Sequence, residues 1–406
     1  MKRRLLAILV LTFGLTASLA AAPAAFAVSI PTSPVGAAWG ANSASTLGDG
    51  TTTQRLTYVG IGSFRDLAQV SGGSDHSLAL TTAGTVFAWG SNAHGALGTG
   101  NGVNAASPVQ VPGLSGITQV AAGFGHSLAL ASNGTVWAWG DNIHGDLGDG
   151  TTIQRTVPVQ VPGLTGITQI AAGYAWSMAL RSDGTVWVWG YNFYDELANA
   201  SLAYSATPIQ VSGLSSVTAI AAGEAFGMAI ETKARIQGGF SHTVWTWGQD
   251  SEGEIGNGSI VDPTGGGGVA SPVQVTGIPD AAGVAGGDDF GAVLGSDGSV
   301  WEWGADDYGV LGPADTTGDI SLVPVQSVSP GSTITQISAG DAHMLALESS
   351  GSVLAWGANY SGQLGNGTTV RSTTPVLVTG LTSATQVDAA ENYSLAVRRA
   401  VVAIGK

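Results

Sequence analysis

The sequence predicts an all-β protein, a seven-bladed β-propeller of four-stranded antiparallel blades. A Trp-Gly pair recurs at steps of 50, 50, 50, 58, 56 and 53 residues, from Trp39-Gly40 to Trp356-Gly357. A Ser-Leu-Ala-Leu-like segment and a Leu-Gly-x-Gly-like loop each recur seven times, which sets the number of blades. A fixed period of this size is the signature of a repeat architecture.

The clearest repeat unit, residues 116–162, contains four candidate strands. They are predicted at Thr118–Ala122, Ser127–Leu130, Thr135–Gly140 and Pro158–Val161. Asn133-Gly134 is a hairpin signal, because both residue types accept a positive φ. A long Gly-rich loop separates the third strand from the fourth. Four antiparallel strands per period are typical of a propeller blade.

The side-chain pattern indicates how the blades pack. In the third strand, alternate residues point to opposite faces, and both sets are apolar, so both faces are expected to be covered by neighbouring blades. Ala-Ala-Gly runs, such as Ala121–Gly123, suit a crowded strand near a central axis. Val35–Gly40 and Ala400–Gly405 compete to complete the last blade. We expect the N-terminal segment, because it keeps the Trp and because Arg398-Arg399 is a poor hairpin turn.

The N-terminal residues have the features of a secretory signal. Lys2, Arg3 and Arg4 precede the apolar run Leu5–Leu15, and Ala25-Phe26-Ala27 matches a cleavage site. We therefore expect residues 1–27 to be a signal peptide cut after Ala27, 28–34 a leader, and 35–406 the propeller. This predicts a secreted protein that does not insert in a membrane after cleavage. The alternative is an uncleaved anchor.

The charge and cysteine content narrow the possible functions. Removal of the signal leaves 10 Lys and Arg against 28 Asp and Glu, a net charge of −18. Such a surface repels nucleic acids, which are bound through basic contacts to phosphates. The chain contains no Cys, which excludes disulfides and thiolate chemistry. We expect a monomer whose partner is another protein.

The repeated pattern G-x-x-H-S-L-A-L…G-T-V-x-A-W-G-x-N-x-x-G-x-L-G-x-G resembles the regulator of chromosome condensation repeat, from Val35 to the C-terminus. The resemblance implies a seven-bladed propeller. The founding member promotes nucleotide exchange on a small nuclear GTPase, but the export signal and the acidic charge depart from it. The chain is more similar to a secreted bacterial branch. That branch includes an inhibitor that clamps a β-lactamase with aromatic and acidic residues of one propeller face, although its repeats are shorter.

Candidate binding residues come from a comparison of the repeats. The turn after the first strand and the loop after the third should share one face of the disc, called here the first face. In neighbouring units this face exchanges repeat residues for aromatic and acidic ones, the usual composition of a binding hot spot. The alternative is drift, with some aromatics packed between blades. The predicted contact residues are Tyr174, Trp176, Tyr191, Phe193, Tyr194, Glu224, Phe226, Asp288, Asp289, Phe290, Asp307 and Tyr308.

Other functional interpretations have less support. His76, His126 and His343 occupy one repeat position, so we interpret them as structural, partly buried and bonded to nearby backbone. The loop Asp141–Asp149 lacks the spacing of a calcium loop, and we predict neither a metal nor a cofactor. An enzyme at the channel mouth would use Asp288, Asp289, Glu224 and His343, but no nucleophile–base pattern is present, so we predict a non-enzyme. A carbohydrate-binding or surface-adhesion module and an exchange-like factor remain alternatives.

Overall fold

The computed structural model describes residues 30–236, 238–261, 267–313 and 319–402. Within these residues, 28 β-strands form seven four-stranded antiparallel sheets, which confirms the predicted fold class. The predicted signal peptide, residues 1–27, lies outside the described residues. In the part of the chain that the structure describes, no helix is long and apolar enough to cross a lipid bilayer.

The blades follow one another along the chain, each running from the innermost strand to the outermost. Blade 1 consists of β3 (Leu67–Gly72), β4 (His76–Thr81), β5 (Val86–Gly90) and β6 (Ala105–Gln110). Blade 2 consists of β7 (Ile117–Ala122), β8 (His126–Ala131), β9 (Val136–Gly140) and β10 (Arg155–Gln160). Blade 3 consists of β11 (Ile167–Ala172), β12 (Trp176–Arg181), β13 (Val186–Tyr191) and β14 (Tyr204–Gln210). Blade 4 consists of β15 (Val217–Ala222), β16 (Phe226–Ala234), β17 (Phe240–Gln249) and β18 (Gly268–Gln274).

Blades 5 and 6 keep the same order, and blade 7 joins both chain ends. Blade 5 consists of β19 (Ala281–Gly286), β20 (Phe290–Gly295), β21 (Val300–Ala305) and β22 (Ile320–Val328). Blade 6 consists of β23 (Ile334–Ala339), β24 (His343–Glu348), β25 (Val353–Gly357) and β26 (Ser372–Leu377). Blade 7 consists of β27 (Ala384–Ala389), β28 (Tyr393–Val402), β1 (Ile30–Gly40) and β2 (Arg55–Ile61).

The N-terminal strand closes the ring, as expected. β1 lies between β28 and β2, and Trp39 pairs with Ser394 in the register of the other blades. β1 begins at Ile30, within the segment predicted as a leader, and Ile30 pairs with Val402. The last blade is therefore built from both ends of the chain, so closing it requires contacts between residues more than 350 positions apart.

The recurrent Trp residue joins each blade to the one before it. The Trp139 indole is fully buried, and its Nε1 donates a hydrogen bond of 2.7 Å to the carbonyl oxygen of Ala96 in blade 1. The same kind of bond occurs at all seven Trp-Gly positions, from Trp39, Trp89, Trp139, Trp189, Trp247, Trp303 and Trp356. The Trp thus has the same role in every repeat: its ring fills the space between two blades, and its buried N–H donor is satisfied by a carbonyl of the preceding blade.

The innermost strands line an axial cavity of about 530 Å³. Its wall is formed by small residues such as Ala121 and Ala122, as the Ala-Ala-Gly runs predict. Gln119 bridges adjacent inner strands: its Nε2 donates to the Ile170 carbonyl and its Oε1 accepts from the Ile170 N–H, at 3.0 and 2.9 Å. Because the inner strands of different blades are not paired in one sheet, these side chains connect them.

Candidate functional site

A ring of seven residues surrounds the mouth of the cavity on the first face, one from the turn between the first two strands of each blade. We call it the mouth ring. In blade order it consists of Ser74, Phe124, Tyr174, Glu224, Asp288, Asp341 and Glu391. Backbone hydrogen bonds link neighbouring turns, for example from Tyr174 N–H to the Glu224 carbonyl at 3.0 Å. The ring is chemically divided, with aromatic residues from blades 2 and 3 and carboxylates from blades 4 to 7.

The aromatic part of the mouth ring continues onto the outer surface. The Phe124 and Tyr174 rings are both exposed and lie 4.2 Å apart between centroids. In the following loop of blade 3, Tyr191 stacks at 6.2 Å with Phe193, which is 54% exposed, and Phe193 makes an edge contact of 4.9 Å with Tyr194. Exposed apolar rings gathered in this way are typical of binding surfaces.

The acidic part brings carboxyl groups from three blades into contact. Oxygens of Glu224, Asp288 and Asp341 all lie within 4.8 Å of one another. Asp288 is hydrogen-bonded to both neighbouring carboxyl groups, and burial together with Glu224 raises the pKa of Asp288 to about 8. Burial and the charge of Asp288 raise the pKa of Asp341 to about 7. Carboxylates this close coexist only by sharing protons or by binding a cation.

Next to the acidic part, blade 5 supplies further predicted residues. Burial and the charge of Asp288 raise the pKa of Asp289 to about 7, and Asp289 accepts a hydrogen bond of 3.0 Å from Gln249. Asp307 is exposed, and Tyr308, 40% exposed, lies 5.9 Å from Tyr360 between ring centroids. The structure therefore places nine of the twelve predicted residues on the first face, as follows: Tyr174, Tyr191, Phe193, Tyr194, Glu224, Asp288, Asp289, Asp307 and Tyr308.

Three predicted contact residues are not on the surface. Trp176 and Phe226 are 0% exposed and Phe290 is 1% exposed, so the prediction that they are exposed anchors is wrong. Each begins the second strand of its blade and packs in the core beside the next blade. Trp176 Nε1 donates to the Glu224 carbonyl at 2.8 Å. Their role is to fill the space between blades.

The three repeat histidines are structural, as interpreted, but their partner differs from the prediction. His76, His126 and His343 are buried, and each ring Nε2 lies 2.8–3.0 Å from a Ser hydroxyl of the next blade rather than from backbone. Burial lowers the pKa of His343 to about 3. This neutral, buried side chain does not reach the cavity mouth, so it does not form the catalytic set considered with Asp288 and Asp289.

In the acidic loop of blade 2, Asp149 is paired with residues of the same blade. Asp149 accepts hydrogen bonds from Arg155 Nε at 2.8 Å and from the Thr151 hydroxyl at 2.6 Å. Among the described residues, the group whose geometry could hold a metal ion is instead Glu224, Asp288 and Asp341. The sequence analysis placed Glu224 and Asp288 together at the channel mouth but did not include Asp341.

Five residues of this site were missed by the sequence analysis: Ser74, Phe124, Asp341, Tyr360 and Glu391. Phe124 was assigned to the regular repeat, although the residue after the turn glycine differs in most units. An alignment of that single position across the seven repeats would have shown the aromatic and acidic parts of the mouth ring. Tyr360 lies in an otherwise regular loop and carries no such signal.

Comparison with known families agrees with this architecture. The model of the RCC1-like domain matches residues 37–276, and the model of the regulator of chromosome condensation (RCC1) repeat matches residues 297–347 and 350–397. The chain belongs to the RCC1-like family. A second repeat model of the same family matches residues 334–363.

Curated members of the RCC1-like family match only short segments. E3 ubiquitin-protein ligase HERC2 of Homo sapiens is 43% identical over 86 residues, which are 21% of this chain and 2% of that protein. The ultraviolet-B receptor UVR8 of Arabidopsis thaliana is 40% identical over 76 residues, 19% of this chain and 17% of that protein. The matched segments thus span a small fraction of each relative.

Solved structures show the same fold over nearly the whole chain. Human WBSCR16 superposes with a TM-score of 0.78 at 19% identity, covering 91% of this chain and 100% of that one. Prp20p from Saccharomyces cerevisiae superposes with a TM-score of 0.76 at 22% identity, covering 93% and 92%. At these identities the similarity establishes the fold and leaves the function to be argued from the site.

Proposed function

We propose that this chain is an exported, non-catalytic propeller that binds another protein with its first face. The observation that carries the proposal is the gathering of exposed aromatic rings and carboxyl groups on that face. Tyr174 and Phe193 come from blade 3 and Tyr308 from blade 5, yet all are at least 40% exposed on one side of the disc. Aromatic anchors with a polar surround are characteristic of protein-binding hot spots.

Family members with a similar fold bind proteins. Prp20p has binding properties to Gsp1p and histones, and yeast RCC1 (Prp20) forms a complex with Kap60. The net charge of −18 after removal of the signal disfavours nucleic acid as the partner of this chain.

We assign the chain to the exported branch of the family on the basis of the positively charged start Lys2–Arg4 and the candidate cleavage site Ala25–Ala27. N-terminal sequencing of the exported protein should begin at Val28.

A capture experiment with residues 28–406 tests the binding face. The immobilised protein is exposed to culture medium and cell-envelope extract, and the retained protein is identified and then purified for a direct binding measurement. Phe193→Ala and Tyr308→Ala should weaken its binding about tenfold or more, as expected for hot-spot residues. Phe240→Ala is the matched control, because Phe240 is 59% exposed in the extended hairpin of blade 4, on the opposite face.

The outcome separates the main alternatives. Equal binding by all three folded variants would remove the first face from consideration. Retention of glycans with no protein partner would favour a carbohydrate-binding module.

Gel filtration of residues 28–406 tests the expectation of a monomer. An isologous dimer through the aromatic surface would elute earlier than a monomer, and the Phe193→Ala substitution would dissociate it.

A further inference from the structure

The carboxyl groups of the mouth ring have no arginine partner among the described first-face residues. The described first-face loops and adjoining strand ends contain three arginines, and each has a local partner. Arg55 binds Asp49 at 2.6 Å, Arg155 binds Asp149 at 2.7 Å, and Arg371 donates to the Asp307 carbonyl at 3.2 Å. None of these contacts reaches Glu224, Asp288 or Asp341, so none of the three arginines neutralises the acidic part of the mouth ring.

We propose that the mouth ring receives a Lys or Arg side chain from a loop of the partner protein. The cationic group lies among Glu224, Asp288 and Asp341, and the Phe124 and Tyr174 rings contact the rest of the inserted side chain. A guanidinium or ammonium group gains from both features, since carboxylates supply charge-assisted hydrogen bonds and aromatic faces attract cations. This inference rests on the proposed function and names the chemistry of its partner.

The dimensions and surroundings of the site favour a protein loop over a free small cation. The cavity of about 530 Å³ opens at the centre of the mouth ring, which leaves space for the tip of a loop. Outside the ring, Phe193 is 54% and Tyr360 is 50% exposed, so apolar surface continues away from the charged centre. A small cation would leave these rings uncovered, whereas the flanks of a loop would bury them.

Binding of a cation at this site has to release protons. Burial and neighbouring carboxylates raise the pKa of Asp288 to about 8 and that of Asp341 to about 7, so both groups are protonated in part near neutral pH. The charged groups that face them are Glu224, Glu391 and Asp289. All of these are acidic, so a bound cation stabilises their ionised forms. Affinity should therefore increase as the pH rises from 6 to 8.

Calorimetry with short peptides tests the proposal on residues 28–406. The probe is acetyl-Gly-Gly-Arg-Gly-Gly-amide, and the matched peptide carries citrulline, which has a similar shape but no charge. The Arg peptide should bind and the citrulline peptide should not. Asp288→Asn should weaken binding about tenfold, the scale of one charge-assisted contact. Asp66→Asn, which removes one exposed charge from the opposite face, should bind like the unchanged protein.

Several results would overturn the proposal. Equal binding of the Arg and citrulline peptides would show that the site does not distinguish a charged side chain from an uncharged one. Unchanged affinity in Asp288→Asn would place the peptide elsewhere, and tight binding of CaCl₂ with no binding of the Arg peptide would make the acidic group a metal site.

The result is independent of the capture experiment. A partner lost in Phe193→Ala but retained in Asp288→Asn would leave the proposed function standing and this inference wrong. Peptide binding without any protein partner would support this inference and contradict the proposed function. Affinity that falls between pH 6 and pH 8 would also contradict the cation-binding arrangement.

Discussion

The His126 imidazole and the Ser177 hydroxyl belong to neighbouring blades and lie 3.0 Å apart in a fully buried interface. The same serine donates to the Asp146 carbonyl at 2.8 Å, so it connects the strand of its own blade to the loop of the preceding one. His76–Ser127 and His343–Ser394 repeat the arrangement. Where the serine position holds Gly227 or Gly291, the preceding blade instead carries the larger Trp176 or Phe226.

Because either a His–Ser pair or a larger aromatic–Gly pair occurs at these two positions, substitutions at both should have coupled effects on stability. His126→Phe should destabilise the fold by about 1–3 kcal/mol, because the longer ring meets the Ser177 hydroxyl and loses its hydrogen bond. Adding Ser177→Gly should recover part of this loss, since the double variant reproduces the Phe226–Gly291 combination. Urea unfolding of the two single variants and the double variant measures the coupling, expected at about 0.5–3 kcal/mol for residues in contact. Strict additivity would contradict the inferred complementarity.

The sequence predicted the fold almost completely but the site only in part, and the first-face aromatics show why. Strand number, order and blade count follow from an apolar pattern that repeats seven times. Whether an aromatic residue near a turn is exposed depends on the space left by the next blade. Tyr174 projects at the mouth and Trp176, two residues later, is buried opposite Gly227, yet both appear in the sequence as aromatic departures from the repeat.

Buried carboxyl groups predict that the protein becomes less stable as the pH rises. Glu254 is 0% exposed, and burial raises its pKa to about 8. The folded state therefore holds this proton more tightly than the unfolded chain does, and its contribution to stability falls as the pH increases from about 4.5 to 8. Burial also raises the pKa of Glu302 to about 8, so its contribution to stability likewise falls as the pH rises. The buried histidines oppose this only below about pH 6.5, where the unfolded chain gains their protons.

Glu254→Gln isolates this effect with a matched residue already present in blade 6. Gln363 occupies the equivalent loop position, and its Oε1 accepts from the Ser361 N–H as Glu254 accepts from the Glu252 N–H. The stability of the variant relative to the unchanged protein should be greater at pH 8 than at pH 5.5. Urea midpoints at both pH values provide the measurement. A constant difference between the two proteins would mean that Glu254 does not titrate on unfolding.

An additional inter-strand bridge should stabilise the ring. Five inner strands carry a Gln that bonds to both backbone groups of the next blade, but Ala219 and Gly283 occupy this position in blades 4 and 5. Ala219→Gln should raise the free energy of unfolding by about 0.5–1.5 kcal/mol, the net value of a hydrogen-bonded pair. Ala219→Glu is the control, because it lacks the amide donor. Equal stabilisation by both would assign the gain to side-chain packing.

Closure of the ring by β1 predicts that the missing strand can be supplied as a separate peptide. Residues 41–406 lack the strand between β28 and β2 and also the buried Trp39 indole, which donates to the Gln363 carbonyl at 2.8 Å. We expect this fragment to have a much lower melting temperature than residues 28–406, since removing a large buried aromatic alone costs about 3–5 kcal/mol. A synthetic peptide of residues 28–41 should raise the melting temperature in a concentration-dependent way. The same peptide with Trp39→Ala should have little effect, and equal rescue by both peptides would show that backbone pairing, rather than the indole, holds the last blade in place.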